Sequence, residues 1–541
     1  MEGYKSKGGV GLLELALGKM YHDPMVIYRE YIQNSCDSLE EAVRANLIKT
    51  DEKNIIITIN QSRHQIIFED CGIGVSNHNI GEALVDIGNS KKSSDLIGQY
   101  GIGRLIAARY CDRIVFETSA KGEPVMSKLI WDTKKAFEII DNKSDKEFTH
   151  IIDEVTTASQ HKEDIDSHFF RVTIDNVNDF DLLDENRAYD YIAQTAPLDY
   201  SFEFKDEVMK SALKDNQDYE KLMNEERKYN ISLNEKDIRK LYKYEFDDIR
   251  LTTPSFFSIE DRVYGRMAWG WYSLSQNITQ MNDVIFRGIR LRKHNMAIGL
   301  ESILTEYFPK NVDAFYFVGE IYIIHSNIEP SGSRDGIGVS TVASAFKDEL
   351  KKKCKELHDL YTKTYRFGNQ LVKKISDGYY EIQKDKAQLK QEESNEEKKK
   401  LREKISQKKN EVVSIVSEME AKKTELEAKD GYAQLIHSYT EYIDNTLKDK
   451  VDKYNSSKTK NKKARIKWEP VSEISEGYKQ NLRAEDPETE YKKLVDPLDS
   501  LSKPTRLIIK VVKKVIDSET TLTDSIKEKL INNIVKKLRN K

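Results

Sequence analysis

Three polar residues, Glu30, Asn34 and Asp37, follow one another at i, i+4 and i+7. That spacing puts two carboxylates and an amide on one stripe of a helix, although a plain solvated face would have the same pattern. Further on, an acid stands in a glycine turn, DCGIG at Asp70–Gly74. A second glycine turn, GQYGIG at Gly98–Gly103, runs directly into the apolar helix pattern RLIAARY. A carboxylate at a strand end accepts hydrogen bonds from an exocyclic amine such as adenine N6, and Gly72 and Gly74 let the backbone approach a flat ring. A glycine-rich loop that opens a helix aims free N–H groups and the helix dipole at whatever lies there, which suits phosphate. Between the turns, Gly88–Ser94 is a short polar span carrying lysines. Two glycine turns around such a span describe a nucleotide pocket with a lid. It is not a Walker A loop, because Arg104-Leu105 stands where Lys-Ser/Thr is required and no strand precedes it.

The elements that must position these residues are legible in the same stretch. Met25–Arg44 reads as a helix, following the break at His22–Pro24. Asn54–Asn60 and Gln65–Glu69 read as a strand hairpin leading into DCGIG. Ile114–Thr118, Ser127–Trp131 and Phe169–Ile174 read as further strands, with a helix around Ala188–Thr195. Helices alternating with a mostly antiparallel sheet predict an α/β sandwich rather than a parallel doubly wound fold. Residues 205–248 are highly charged and are expected to be a helical connector. Strand signals return at Val263–Leu274, Val284–Arg292 and Ala314–His325, with a helix-like stretch at Leu300–Phe308, predicting a second α/β domain that ends in the loop EPSGSRDG. From about residue 341, Leu350, Leu357, Thr364 and Leu371 repeat every seven residues. A second series, Ile405, Val412, Met419 and Leu426 with companions Leu401 and Ile415, does not join it in register. Two coiled-coil helices, folded back or joined through a skip, are expected. The basic run Lys458–Lys467 and two amphipathic helices across Leu507–Leu538 close the chain.

The 541 residues are too many for one domain. A formal charge of -4 gives no global electrostatic case for nucleic acid or membrane binding. Four cysteines without a CxxC pair fit a reducing compartment, and no run reaches the roughly 20 apolar residues that span a bilayer, so a cytoplasmic location without membrane is expected.

The helix YREYIQNSCDSLEEA, the DCGIG turn and IGQYGIGRLIAARYCDRIVFET together resemble the N-box, adenine and second glycine motifs of the GHKL superfamily (gyrase, heat-shock chaperone, histidine kinase, MutL). The match is nearest to the ninety-kilodalton heat-shock chaperones, with PSGSRD similar to their middle-domain catalytic loop. The resemblance implies a Bergerat α/β sandwich ATP-binding domain at 1–204, an S5-like transducer domain at 205–340, a coiled coil at 341–430 and a helical C-terminal region at 431–541. It implies ATP and Mg²⁺, with Glu30 orienting the attacking water, Asn34 on the metal, and Asp37 and Asp70 in the ATP pocket, Asp70 at adenine N6. Gly72 and Gly74 would line the base. Lys92, Ser93, Gly98, Gln99, Tyr100, Gly101, Ile102 and Gly103 would meet the phosphates, and Arg334 would reach the γ-phosphate from the second domain. Two departures stand out: the lid is short, and Phe169-Phe170 falls where Gly-Thr is expected. The implied function is an ATP-gated homodimeric clamp, joined through the coiled coil and C-terminal helices, acting on protein clients. The alternatives are a DNA-engaging ATPase similar to MORC-type proteins, in a microbial defence setting, and a non-hydrolysing nucleotide sensor.

Overall fold

The computed structural model describes residues 23–86, 103–142, 146–246, 249–429, 431–457 and 465–484, with short pieces between 511 and 534. They fall into two compact units, up to Thr364 and from Tyr365 onward. Among the described residues no helix is long and apolar enough to cross a membrane.

An eight-stranded sheet organises the first unit. In its strand Asn54–Asn60 (β1), Ile55, Ile57 and Ile59 are buried while Ile56 is exposed, so one face is covered and the other open. The next strand, Gln65–Asp70 (β2), pairs antiparallel with it, and its buried file runs Ile66, Phe68, Asp70. The carboxylate therefore occupies the core position that follows two apolar residues. Arg113–Ser119 (β3), Val125–Asp132 (β4), Thr156–Lys162 (β5) and Phe169–Asp175 (β6) extend the sheet with antiparallel neighbours. Helix Val26–Arg44 (α1) lies on the covered face, where the rings of Tyr28 and Tyr31 sit 5.6 and 5.0 Å from that of Phe68. A fully buried aromatic ring of this kind contributes about 2–3 kcal/mol. Of the 19 residues in α1, 13 are buried, so its polar stripe is not a solvated face.

The charged stretch after residue 204 departs from the expected helical connector. Two short helices, Lys210–Leu213 and Gln217–Glu225, give way to the hairpin Asn230–Leu233 (β7) and Lys236–Ile238 (β8), which joins the first sheet parallel to β1. The full order is β5-β4-β3-β6-β2-β1-β7-β8. Its turn residues Asn234 and Glu235 both have positive φ, 46° and 67°, the backbone of a two-residue hairpin loop. The charge runs on either side outweigh this four-residue alternation in a sequence window. The mixed α/β layer architecture agrees with the sequence expectation.

A second sheet contains Ser255–Asp261 (β9), Gly265–Leu274 (β10), Gly288–Lys293 (β11), Met296–Ile298 (β12) and Phe317–Ile323 (β13), in the order β9-β10-β13-β11-β12. Here β11 starts four residues later than the strand signal at Val284, and the helix-like stretch shrinks to a single 3-10 turn, Thr305–Tyr307. Every residue of β11 and β13 is buried. At the centre, Glu320 accepts from Lys240 Nζ at 2.8 Å and Tyr200 Oη at 2.6 Å and is ion-paired with Arg292. Burial would push this carboxyl up, but Arg292 and Lys240 hold it down at about 2. Arg292 also donates to the backbone oxygens of Gln194, at 2.9 Å, and Ala196, at 3.2 Å. These lie at the end of helix Glu185–Thr195 (α2) in the first sheet's layer. The helix Thr341–Phe367 (α3) is tied to this domain by Asp313, which accepts from Tyr361 Oη at 2.6 Å and pairs with His358.

The second unit is helical. Lys373–Leu389 (α4) and Asn395–Glu427 (α5) form an antiparallel hairpin, with Lys404 on Asp385 and Lys408 on Glu381. The polar span around residues 390–394 makes the turn, which is why the heptad registers do not join. Leu401, Ile405, Val412, Met419 and Leu426 are buried as expected, but Val416 takes the companion position instead of Ile415. Tyr432–Ser457 (α6) and Val471–Ala484 (α7) pack against the same hairpin, through Lys450 on Asp377 and Lys479 on Glu420.

Candidate active site

Helix α1 and the loop after β2 meet at Asp70. This carboxyl is 2% exposed, and burial pushes it up to about 7 even though Ser35, the Gly72 N–H and Ser38 act to lower it. Gly72 N donates to Oδ1 at 2.9 Å, while Oδ2 has no partner among the described residues. An unmatched buried acceptor of this kind is costly unless a donor from a ligand meets it. The DCGIG loop itself is pinned on both sides. Ile73 N donates to the Ser38 carbonyl at 3.1 Å, and Val75 N donates to Thr118 Oγ1 at 2.9 Å. Gly74 has φ +68°, and a Cβ there would lie 2.0 Å from the Ser119 carbonyl oxygen, so only glycine fits.

One and two turns earlier in α1 stand Asn34, half-buried, and Glu30, 7% exposed; Asp37 is 2% exposed. Glu30 Oε1 pairs with Arg29 Nη2 at 3.1 Å. Its Oε2 faces the start of the 3-10 helix Gly103–Tyr110, where a Cβ on Gly103 would lie 2.9 Å away. The structure therefore brings the last glycine of GQYGIG beside Glu30. Tyr31 Oη donates to the Arg104 carbonyl at 2.8 Å and ties that helix to α1. Lys92, Ser93, Gly98, Gln99, Tyr100, Gly101 and Ile102 lie outside the described residues.

Arg334 reaches the same place from the second sheet's domain. Arg29 Nη2 donates to the Ser333 carbonyl at 2.8 Å, docking the EPSGSRDG loop on α1. Arg334 is 5% exposed, and its Nε and Nη2 have no hydrogen-bond partner among the described residues. Burial pulls its guanidinium down to about 10, with Arg29 adding to that effect and Glu30 opposing it. Its backbone is left-handed, φ +51°, held by Arg334 N to the Ser331 carbonyl at 2.9 Å and Gly299 N to the Arg334 carbonyl at 2.7 Å. For a residue with a Cβ such a φ costs of order 1–2 kcal/mol, which the surrounding bonds must offset.

Among the described residues, helix α1 thus meets an unmatched acceptor, Asp70 Oδ2, in the DCGIG turn and unmatched guanidinium nitrogens, Arg334 Nε and Nη2, in the EPSGSRDG loop, and it carries Glu30 and Asn34 itself. That donor and acceptor set fits a nucleotide with its base at Asp70 and its last phosphate at Arg334. Sequence reading missed Ser35, Ser38 and Arg29. Ser38 was within reach, since it stands at i+8 from Glu30 and i+4 from Asn34 on the same stripe.

Residues 25–172 match the family model for histidine kinase-, DNA gyrase B- and HSP90-like ATPases. The chain is 28% identical to the chaperone protein HtpG of Rickettsia akari over 180 residues, which is 30% of this chain and 28% of that protein. It is 28% identical to HtpG of Helicobacter pylori over 188 residues, 31% of this chain and 29% of the relative. For HtpG of Wolinella succinogenes the identity is 29% over 147 residues, 24% of each chain. The chain therefore spans less than a third of the length of these curated relatives.

Proposed function

We propose that this chain, whose residues 25–172 carry a GHKL-type ATPase domain, binds and hydrolyses ATP as the gate of a dimeric, chaperone-like clamp on protein clients. The observation that carries the reading is the buried Arg334 guanidinium beside Glu30, with two nitrogens unmatched among the described residues, together with the unmatched Asp70 oxygen against the same helix α1. In this reading Asp70 accepts from the exocyclic amine of the base and Gly72 and Gly74 leave room for the ring. Glu30 orients a water and takes its proton. For Oε1 to share that work, its pairing with Arg29 must loosen or be shared. Arg334 supplies positive charge where negative charge builds on the transferred phosphoryl group. Asn34 would offer its amide oxygen to Mg²⁺, which when bound by the phosphates neutralises part of their charge.

The route from nucleotide to the rest of the molecule runs through the loop that carries Arg334. Arg29 bonds that loop and Glu30 together, so occupancy of the γ-phosphate position changes which groups the loop contacts. Replacing Glu30 by Ala tests the reading: ATP affinity should stay within about threefold while turnover falls 10²–10⁴-fold, the usual contribution of a general base. The client is tested by measuring which macromolecule stimulates turnover. Unfolded protein is expected to do so; stimulation by DNA alone, weakening steeply with salt, would instead assign the clamp to DNA.

A further inference from the structure

Asp70 receives its support from a helix rather than from the sheet. Its cross-strand partner on β6 is Phe170, so an aromatic ring, not a hydroxyl, stands beside it on the same face. Thr118, on the next strand over, is already engaged: its Oγ1 donates to the Phe169 carbonyl at 2.8 Å and accepts from Val75 N at 2.9 Å. From the other side, α1 brings Ser35 and Ser38 to the Asp70 carboxylate, where both act to hold it ionised. Ser38 is built into the turn most closely. Its carbonyl holds Ile73 N at 3.1 Å. A Cβ on Gly72 would lie 2.0 Å from Ser38 Oγ and 2.7 Å from Asp70 Oδ1, so the bare glycine is what lets hydroxyl, turn and carboxylate meet.

We propose that Ser38 is a positioning residue for base recognition: with Gly72 N–H it holds one side of Asp70 so that Oδ2 points at the 6-amino group of a purine. The inference rests on the ATP reading above. Ser38 does not touch the nucleotide; it acts by removing the rotational freedom of a carboxylate that the sheet leaves without a hydroxyl neighbour. A carboxylate held by two donors on one side presents the opposite oxygen in a fixed direction, and the benefit is collected only by a ligand with a donor at that point.

The test compares two ligands on the full chain by titration calorimetry: ATP, and purine riboside triphosphate, which lacks the 6-amino group. Ser38→Ala is expected to weaken ATP about fivefold, the effect of one net hydrogen bond, and the analogue less than twofold. Ser38→Cys, close in size but a weak donor, should reproduce the selective loss and guards against a folding defect in the alanine variant. Equal weakening of both ligands, or of neither, overturns the role given to Ser38. Failure of the unaltered protein to bind either triphosphate overturns the ATP reading itself and the inference with it, a result distinct from equal weakening in the variants.

Discussion

Asp70 is an ionisable group kept where a carboxylate is least comfortable, and that has a measurable cost. Its folded-state pKa of about 7 lies above the ordinary 3.8. A group raised in this way adds stability only below its unfolded pKa, and the contribution is lost as pH climbs through the folded value. The nucleotide-free protein should therefore gain from Asp70→Asn at pH 8, by roughly 1–3 kcal/mol, and the gain should shrink as pH falls toward 6. Denaturant melts of both proteins across that range check it. The same substitution replaces the waiting acceptor by an amide and should abolish ATP binding, so stability and function move in opposite directions. Arg334 makes the complementary prediction. Arg334→Ala should leave ATP affinity within a few-fold and lower turnover about 10²–10³-fold, as loss of a charge-stabilising donor does; equal losses in binding and turnover would place its role in ground-state binding. Both residues were legible in the sequence because each stands in a short motif. Ser35 was not, since a serine within such a helix looks the same whether it meets solvent or a buried acid, and for Ser38 the helical stripe it shares with Asn34 was the only signal.

At the level of elements, the site depends on β2 delivering a carboxylate to a core position and on the second sheet delivering a loop to α1. The alternation in Gln65–Asp70 announces the first; nothing local announces the second, because the contact joins Arg29 to Ser333. Between the two sheets stands the buried group around Glu320. It links β13 to Lys240 and, through Arg292, to the backbone at the end of α2. Glu320→Gln would take the directly paired carboxylate away from buried Lys240 and Arg292, and a loss of about 3–5 kcal/mol is expected in chemical denaturation. A cost below about 1 kcal/mol would mean the group is not the anchor of this junction. The β7–β8 hairpin was hidden for a physical reason: a two-strand addition at a sheet edge needs only Ile231, Leu233 and Ile238 on its buried side. The heptads were read correctly as helix, and of the two arrangements expected the folded-back hairpin is the one that α4 and α5 adopt. Leu350 and Leu357 are buried in the first unit's helix α3, and Ile405, Val412, Met419 and Leu426 are buried in a hairpin within the second.

For the whole molecule, the heptad residues of α5 already have partners within their own chain, so the proposed dimer needs another contact. Val511 and Ile526, 59% and 46% exposed, are among the described apolar residues of the C-terminal stretch that remain exposed to supply it. Paired Val511→Lys and Ile526→Lys substitutions should shift the full chain from dimer to monomer in sedimentation velocity; a variant that stays dimeric would move the interface elsewhere. The central claim concerns the chemistry at α1, and it is tested most directly by steady-state ATP turnover of Glu30→Ala beside the unaltered chain, with ATP affinity measured on the same samples. Turnover lower by at least about 100-fold with affinity nearly unchanged is the predicted result. Turnover that survives the substitution would contradict the assignment of Glu30, and with it the account of this pocket as a hydrolytic ATP site.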